Sequence, residues 1–110
     1  MGVKLEIDII EICKALSNET RLNIMKWLRE PEKNFSPQGC NLNEPVVQTG
    51  GVCVGRIQAK ANLSPSTVSN YLDTLQRAGL LVSERHGKWT YYRRNEAVLQ
   101  KLSEYIKNEL

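Results

Sequence analysis

The sequence contains no long run of apolar residues. Its N-terminal stretch, MGVKLEIDIIEICKAL, is interrupted by charged side chains that include Lys4, Glu6, Asp8 and Glu11. A membrane-spanning helix needs about 20 mostly apolar residues, and a signal peptide needs an uninterrupted apolar core of about 7 to 15. The sequence therefore predicts neither a membrane span nor a signal peptide. We expect a cytoplasmic protein without a membrane partner.

Histidine and cysteine are scarce. The chain has one histidine, His86, and three cysteines, Cys13, Cys40 and Cys53. A catalytic thiol needs a neighbouring base, and the sequence offers no paired-carboxylate motif and no glycine-rich phosphate loop. We therefore do not expect an enzyme. An odd number of cysteines in a reducing compartment also argues against a disulfide framework.

Positive charge is concentrated in one part of the chain. With 110 residues, 41% of them hydrophobic, the chain is expected to form a single domain over residues 1–110. The net charge is only +3, but the segment from Arg56 to Arg94 holds seven basic and two acidic residues, a net +5 that leaves −2 elsewhere. A localised basic segment of this kind favours a polyanionic partner, and nucleic acid is the usual one.

The segment from Ser64 to Gly87 carries the clearest pattern. Ser64 followed by Pro65 predicts a helix start fixed by side-chain capping and by a proline at the first helical position. The rest of this helix combines an apolar stripe with short polar side chains near its start: Val68, Leu72 and Leu75, then Ser66, Thr67, Ser69, Asn70 and Asp73. Such polar side chains suit a helix that enters the major groove by its N-terminus. An ordinary amphipathic helix with a serine-rich start is the alternative.

A glycine stop and a basic hairpin follow this helix. Gly79 predicts the helix end, and two extended segments, LLVSERHG and KWTYYRR, are joined around Gly87. A further helix from about Cys53 to Ala61 precedes the polar one across a short turn. The order of elements predicts a mainly α (α+β) fold, a winged helix-turn-helix of about five helices with a two-stranded β-hairpin wing.

The two ends of the chain carry wide apolar faces. We expect a first helix over about residues 4–16, a second capped by Ser17 or Asn18 and stopped by Pro31, and a last one capped by Asn95. In so short a chain, these faces favour a homodimer over packing within one domain. The candidate dimer-interface residues are Leu5, Ile9, Ile12, Leu99, Leu102 and Ile106.

The stretch 31–51, PEKNFSPQGCNLNEPVVQTGG, breaks the helical pattern. It holds three of the four prolines and three of the seven glycines, and it exceeds the roughly 2–8 residues that usually join packed helices. We expect an inserted loop that docks on the body through its apolar side chains, with a small strand at Val46-Val47 as a further option: Phe35, Leu42, Val46 and Val47.

The sequence resembles the ArsR/SmtB family of bacterial winged-helix repressors. The resemblance is carried by Ala15 to Ile24 (ALSNETRLNI), by Ser64 to Leu81, and by Lys88 to Arg93 (KWTYYR). It implies a homodimeric repressor that binds an inverted-repeat operator in double-stranded DNA, that is released by an inducer, and whose first and last helices form the dimer interface. On the recognition helix and the wing we take the candidate DNA-binding residues to be Ser64, Ser66, Thr67, Ser69, Asn70, Arg85, His86 and Lys88.

The departures from the family concern its metal sites. Where metal-sensing members carry Cys-Val-Cys, this chain has Cys53-Val54-Gly55, and its only histidine lies in the wing. Zinc sensing is therefore not expected, and no cofactor is required. Cys13, Cys40 and Cys53 could serve a thiol sensor for As(III), Sb(III) or redox state if they converge. Cys13 would otherwise be core filling, and Cys40 is the candidate exposed thiol.

Several functional alternatives stay open at this stage. The inducer could bind away from the cysteines, or the protein could bind DNA constitutively without an inducer. A winged helix used purely for protein interaction is the other alternative, although the basic wing and the polar helix start argue against it.

Overall fold

The computed structural model describes residues 6–35 and 50–110. Within these ranges it forms six helices and three strands: α1 (Ile9–Leu16), α2 (Glu19–Arg29), α3 (Pro31–Asn34), β1 (Val52–Cys53), α4 (Val54–Ala61), α5 (Pro65–Arg77), β2 (Leu81–His86), β3 (Trp89–Arg94) and α6 (Glu96–Glu109). This is the predicted winged helix-turn-helix. None of the helices in the described ranges is long and apolar enough to cross a membrane.

Side-chain caps determine where the helices begin. Asn18 and Asn95 accept hydrogen bonds at their Oδ1 atoms from the backbone N–H groups of Arg21 (2.9 Å) and Val98 (3.3 Å), which confirms both predicted caps. The first helix begins at Ile9 instead of about residue 4, because Asp8 in an extended conformation caps it and accepts a bond from Glu11 N–H at 3.1 Å.

One apolar core joins the helices to the sheet. The predicted stripe of α5, Val68, Leu72 and Leu75, is completely buried, and each such side chain contributes about 1.5–3 kcal/mol relative to an exposed one. The other fully or nearly fully buried members come from α1, α2, α4, α6, the sheet and the segments that follow α3 and α5: Ile12, Ala15, Ile24, Met25, Leu28, Phe35, Val52, Ile57, Leu80, Leu81 and Val98. The recognition helix is therefore held by the centre of the domain.

The wing belongs to a three-stranded antiparallel sheet in the order β1-β3-β2. Strands β2 and β3 pair from Leu81↔Arg94 to His86↔Trp89, and Gly87 at φ +63° begins the tight turn between them. The predicted hairpin thus has a third strand on its other side, because β1 pairs with β3 (Cys53↔Tyr91). The option of a strand at Val46-Val47 concerns residues outside the described ranges.

The beginning of the predicted loop is helical. Pro31 ends α2 and also occupies the first position of α3, a single turn, which is why α3 adds one helix to the five expected. Phe35 then docks on the body as predicted, with its ring edge-on to Trp27 at 6.4 Å between centroids. Leu42, Val46 and Val47 lie outside the described residues.

The end of α5 is anchored to the start of α6. Gly79, at φ +84°, provides the predicted glycine stop, and a Cβ at this position would lie 3.7 Å from a methyl group of Val98. The N–H of Leu80 donates to the carbonyl of Leu75 at 3.0 Å, and the N–H of Asn95 donates to the carbonyl of Leu80 at 2.9 Å. The recognition helix and the last helix therefore share one backbone junction.

Candidate nucleic-acid interface

The turn of the helix-turn-helix is made by Asn62. This residue ends α4 in a left-handed conformation (φ 54°, ψ 43°), and its N–H donates to the carbonyl of Gln58 at 3.0 Å. Asparagine tolerates this conformation better than most residues. Leu63 and Ser64 then lead into α5, whose Pro65 occupies the first helical position. The sequence thus determines the point at which the recognition helix begins.

The exposed start of α5 carries a cluster of hydroxyl groups. Ser64 Oγ accepts the N–H of Thr67 at 3.2 Å and lies 2.7 Å from Thr67 Oγ1 and 3.3 Å from Ser66 Oγ. Ser69 and Asn70, one turn further on, are exposed. Five of the predicted DNA-binding residues thus lie in the first two turns of one helix.

The tip of the wing presents two cationic side chains. Arg85 is exposed, and its Nε donates to the carbonyl of Gly87 at 3.0 Å, so the side chain also braces the turn. Lys88 is exposed, with its Nζ 5.1 Å from the centre of the Trp89 ring. A cation over an aromatic face loses part of its freedom, which preorganises its position. The wing tip is therefore positively charged and partly ordered.

His86 lies against the wing strands. Its Nε2 is 3.2 Å from a carboxylate oxygen of Glu84, and its ring stands edge-on to Tyr91 at 5.7 Å between centroids. Tyr91 is almost completely buried. Of the three predicted wing residues, His86 is thus the one whose side chain packs back onto the wing strands, whereas Arg85 and Lys88 are exposed.

Two groups on the recognition helix and the wing interact electrostatically. Burial, and to a smaller extent the negative charge of Asp73 on α5, raises the pKa of Tyr92 on β3 above its usual value of 10.0. Arg77 holds the Asp73 carboxylate through an Nε to Oδ2 contact of 2.9 Å. The one acidic side chain of α5 is therefore paired, which reduces its repulsion toward a phosphate backbone.

The first helix of the motif carries two cations that lie over aromatic rings of the segment before the described gap. Arg56 lies 5.7 Å from the centre of the Phe35 ring, and Lys60 lies 5.5 Å from a ring centre of Trp27. Burial lowers the pKa of the Arg56 guanidinium. Their spacing of four residues, one helical turn, is the signal in the sequence that places them on the same face of α4.

Comparison with known proteins agrees with this geometry. Residues 48–85 match the model of the IclR helix-turn-helix domain. The chain is 48% identical over 102 residues to the HTH-type transcriptional regulator YbzH of Bacillus subtilis, covering 92% of this chain and 97% of YbzH. It is also 30% identical over 84 residues to the arsenical resistance operon repressor of Escherichia coli, covering 76% of this chain and 56% of that repressor.

This chain belongs to the HTH-type transcriptional regulators, the group of YbzH, and it is similar to ArsR repressors of arsenical resistance operons. Its fold agrees: the homodimeric winged helix-turn-helix DNA-binding domain of Mb0332 from Mycobacterium bovis, a possible ArsR-family regulator, superimposes with a TM-score of 0.58. The two are 23% identical, and the match covers 93% of this chain and 83% of the other. All three relatives are transcriptional regulators by name.

The cysteines of this HTH-type regulator are not arranged as expected. Cys13 is free and exposed on α1, so the interpretation of it as core filling was wrong. Cys53 is disulfide-bonded, so the expectation of no disulfide was wrong. An odd number of cysteines does not exclude a disulfide, since two of the three can pair while the third stays free. Cys40 lies outside the described residues. Across residues 6–35 and 50–110, no group of three or more His, Cys, Asp or Glu side chains is placed to hold a metal ion.

The candidate dimer-interface residues differ in how far they are buried in the protomer. Ile12 is completely buried inside its own protomer, so its assignment to a dimer interface was wrong: the inner face of α1 packs on the core. Leu99 and Leu102 are partly buried against the same core, and Ile9 is half-buried. Ile106 is 52% exposed, and Ile10, which the interface assignment omitted, is 60% exposed. Leu5 lies outside the described residues.

Proposed function

We propose that this HTH-type regulator is a homodimeric repressor of the ArsR type that binds an inverted-repeat operator in double-stranded DNA in the cytoplasm. One observation carries the proposal: the exposed polar start of α5 belongs to the same basic segment as the wing tip with Arg85 and Lys88. A polar helix start can hydrogen-bond to base edges, and cations beside it can neutralise phosphates.

The proposed contacts divide between these two elements. Ser69 and Asn70 are exposed on α5 and carry groups that can donate to or accept from base edges in the major groove. Ser64, Ser66 and Thr67 lie at the helix N-terminus, where free N–H groups and the helix dipole favour a phosphate. Arg85 and Lys88 would contact the sugar-phosphate backbone next to the site.

The outer faces of α1 and α6 support the proposed homodimer. Ile10 and Ile106 are large apolar side chains that are 60% and 52% exposed. A second copy of the chain that packed on these faces would bury them. Ile7 and Tyr105 line a shallow groove beside them. The Mb0332 domain is homodimeric. A two-fold dimer presents two copies of α5, which would read half-sites about 34–36 Å apart as an inverted repeat.

Repression follows from what such a dimer can do on a promoter. A dimer that covers an operator excludes RNA polymerase from the same DNA. This mode of action needs only the DNA-binding surface of α5 and the wing, together with the dimer interface. The E. coli relative is named as a repressor. The sequence relation therefore supports the same mode of action.

Selection from a random duplex library tests DNA recognition. Purified protein is expected to enrich an imperfect inverted repeat, and fluorescence anisotropy is expected to show that affinity for this duplex falls steeply as salt rises. A scrambled duplex of equal length and composition is the control. Equal affinity for the selected and scrambled duplexes at moderate salt would contradict specific recognition. It would favour a winged helix that serves protein interaction.

Sedimentation velocity tests the dimer without DNA. Ile106→Glu and Ile10→Glu are expected to shift the protein toward monomer while the circular dichroism spectrum stays helical, because both side chains are exposed in the protomer. Leu63→Glu is the matched control, since Leu63 is an apolar side chain with 40% exposure at the helix-turn-helix turn. A wild-type protein that sediments as a monomer at micromolar concentration would contradict the proposal.

A further inference from the structure

A cavity of about 550 Å³ lies between the short helix α3 and the start of α4. Its charged and bare walls come from three segments that are separate in the sequence: Glu30, Glu32, Lys33, Gly50 and Arg56. Pockets that bind small molecules have volumes of about 300–1,000 Å³. The cavity shares no lining residue with the proposed DNA-binding surface. It is therefore a candidate site for a second, smaller ligand.

Arg56 borders this cavity with a guanidinium group whose position is restrained. Its guanidinium carbon lies 5.7 Å from the centre of the Phe35 ring, and Phe35 is buried in the core. Burial lowers the pKa of Arg56, because the group is partly withdrawn from water. A planar guanidinium that is already held in place can bind a carboxylate through two parallel hydrogen bonds at a small cost in side-chain entropy. This side of the cavity therefore suits a carboxylate.

The α3 side of the cavity carries two carboxylates and a second cation. Lys33 Nζ lies 3.4 Å from a carboxylate oxygen of Glu30, and Glu32 is exposed beside them. A purely anionic ligand would meet the two glutamates, whereas a metal ion or another simple cation would meet Arg56 and Lys33. A small molecule with a carboxylate at one end and an ammonium group at the other avoids both repulsions. The charges of the lining therefore favour a zwitterion.

Arg56 also connects the cavity to the helix-turn-helix. It lies in the first turn of α4, and its neighbour Ile57 is completely buried in the core that also holds Val68 of α5. Helix α4 leads through the turn at Asn62 into α5. A ligand that holds Arg56 and α3 together would therefore act on the helix that supports the recognition helix.

We propose that this cavity is an effector site for a free α-amino acid, which places its carboxylate on Arg56 and its ammonium group on Glu30 and Glu32 and lowers the affinity for the operator. The binding step stands on the cavity alone, whereas the effect on DNA rests on the proposed function. Among the described residues, no atom lies within 4 Å of the position that a Cβ would take at Gly50. The side chain of the amino acid therefore has room along this wall.

Calorimetry on the wild-type protein without DNA tests the binding step. Each standard amino acid is titrated separately, and at least one is expected to bind with a dissociation constant below about 1 mM. Its N-acetyl derivative lacks the ammonium group and its amide lacks the carboxylate, so each should bind at least about tenfold more weakly. No heat of binding and no shift in thermal unfolding with any of the amino acids at about 10 mM would overturn the site.

Variants test the two ends of the ligand separately. Arg56→Gln is expected to lower the affinity by about ten- to a hundredfold, and Arg56→Lys should recover only part of it. Glu30→Gln combined with Glu32→Gln changes exposed side chains and should remove the preference for the amino acid over its N-acetyl derivative. Lys60→Gln is the matched control and should bind like the wild type, because Lys60 is an exposed cation one turn further along α4 that does not line the cavity.

Two results with these variants would contradict the assignment. Equal affinity in the wild type and in Arg56→Gln, with circular dichroism showing that both are folded, would overturn the carboxylate position. An unchanged preference over the N-acetyl derivative in the double glutamate variant would overturn the ammonium position.

Anisotropy with the selected duplex tests the effect on DNA. A saturating concentration of the amino acid is expected to weaken operator binding at least about fivefold, and by linkage the duplex should weaken amino acid binding by the same factor. Arg56→Gln should lose this response. Unchanged operator affinity at saturation would overturn the effector role. Amino acid binding by a protein that prefers no duplex would instead contradict the proposed function, and the binding step would stand.

Discussion

The guanidinium carbon of Arg21 on α2 lies 5.3 Å from the centre of the Tyr71 ring on α5. The same side chain donates from Nε to the carbonyl of Ala15 at 2.6 Å and from a terminal nitrogen to the carbonyl of Lys14 at 3.3 Å. Arg21 therefore satisfies carbonyl groups at the end of α1 while it packs on the recognition helix. One side chain ties three helices together.

Replacement of Arg21 is expected to destabilise the fold. Arg21→Ala removes two charge-assisted hydrogen bonds and a cation–π contact, and urea unfolding should show a loss of about 1–3 kcal/mol in the free energy of unfolding. Arg21→Lys keeps the charge but not the planar group and should fall in between. Arg29→Ala, at an exposed position on the same helix, is the control and should change stability by less than about 0.5 kcal/mol.

The wing cations are expected to act on all DNA sequences alike. Arg85→Ala and Lys88→Ala should weaken binding to selected and scrambled duplexes by similar factors. Each should also lower the salt slope by about 0.9 for every phosphate that is no longer neutralised. Lys26→Ala, an exposed cation on α2, is the control. A weakening confined to the selected duplex would show that the wing reads bases.

Asn70 and Ser69 are expected to determine sequence preference. Asn70→Ala should cost about 1–3 kcal/mol on the selected duplex and little on a scrambled one, since base contacts carry discrimination. Ser69→Ala should act in the same direction. Anisotropy titrations with single base-pair variants of the operator would locate the affected position. Uniform weakening across all duplexes would assign these two residues to the phosphate backbone.

Ser64 offers a way to separate folding from binding. Its Oγ caps α5, so Ser64→Ala should lower the free energy of unfolding by about 1 kcal/mol. Ser64→Asp keeps a capping oxygen and should retain stability, but its negative charge next to the DNA should reduce affinity. Thermal unfolding and anisotropy on the same preparations test both. Full DNA affinity in Ser64→Asp would place this end of α5 away from the phosphates.

Tyr92 is expected to make stability depend on pH in the alkaline range. Its pKa in the folded protein is raised above 10.0 by burial and by Asp73, so the neutral phenol is favoured in the native state. Its contribution is complete below about pH 10 and is lost as pH rises through the folded pKa. The difference between wild type and Tyr92→Phe in urea midpoint should therefore shrink or reverse from pH 8 to pH 10.5. A constant difference would contradict this assignment.

Most of the helix-turn-helix and the wing could be predicted from the sequence, because the signals that determine them are local. The caps Asn18, Ser64 and Asn95, the stop at Gly79 and the hairpin turn at Gly87 each depend on neighbouring residues. These features determine the order and spacing of the helices and strands around α5.

The features that were missed depend on distant partners. The pairing of β1 with β3 joins residues about 40 positions apart, and a two-residue strand leaves no periodicity. Ile12 and Ile10 lie on different sides of α1, and Ile12 faces the core whereas Ile10 is exposed. Which side faces the core is decided by the packing of α1 on α2 and α5. The disulfide at Cys53 likewise depends on tertiary structure and not on cysteine count.

Among residues 6–35 and 50–110, the order β1-β3-β2 leaves the sheet with two edge strands, one of which is only two residues long. The other edge, β2, carries the exposed charges of Glu84 and Arg85. Short edge strands and charged edge residues both discourage a sheet from recruiting strands of neighbouring molecules. The wing proposed to contact DNA therefore also carries features that oppose aggregation at high protein concentration.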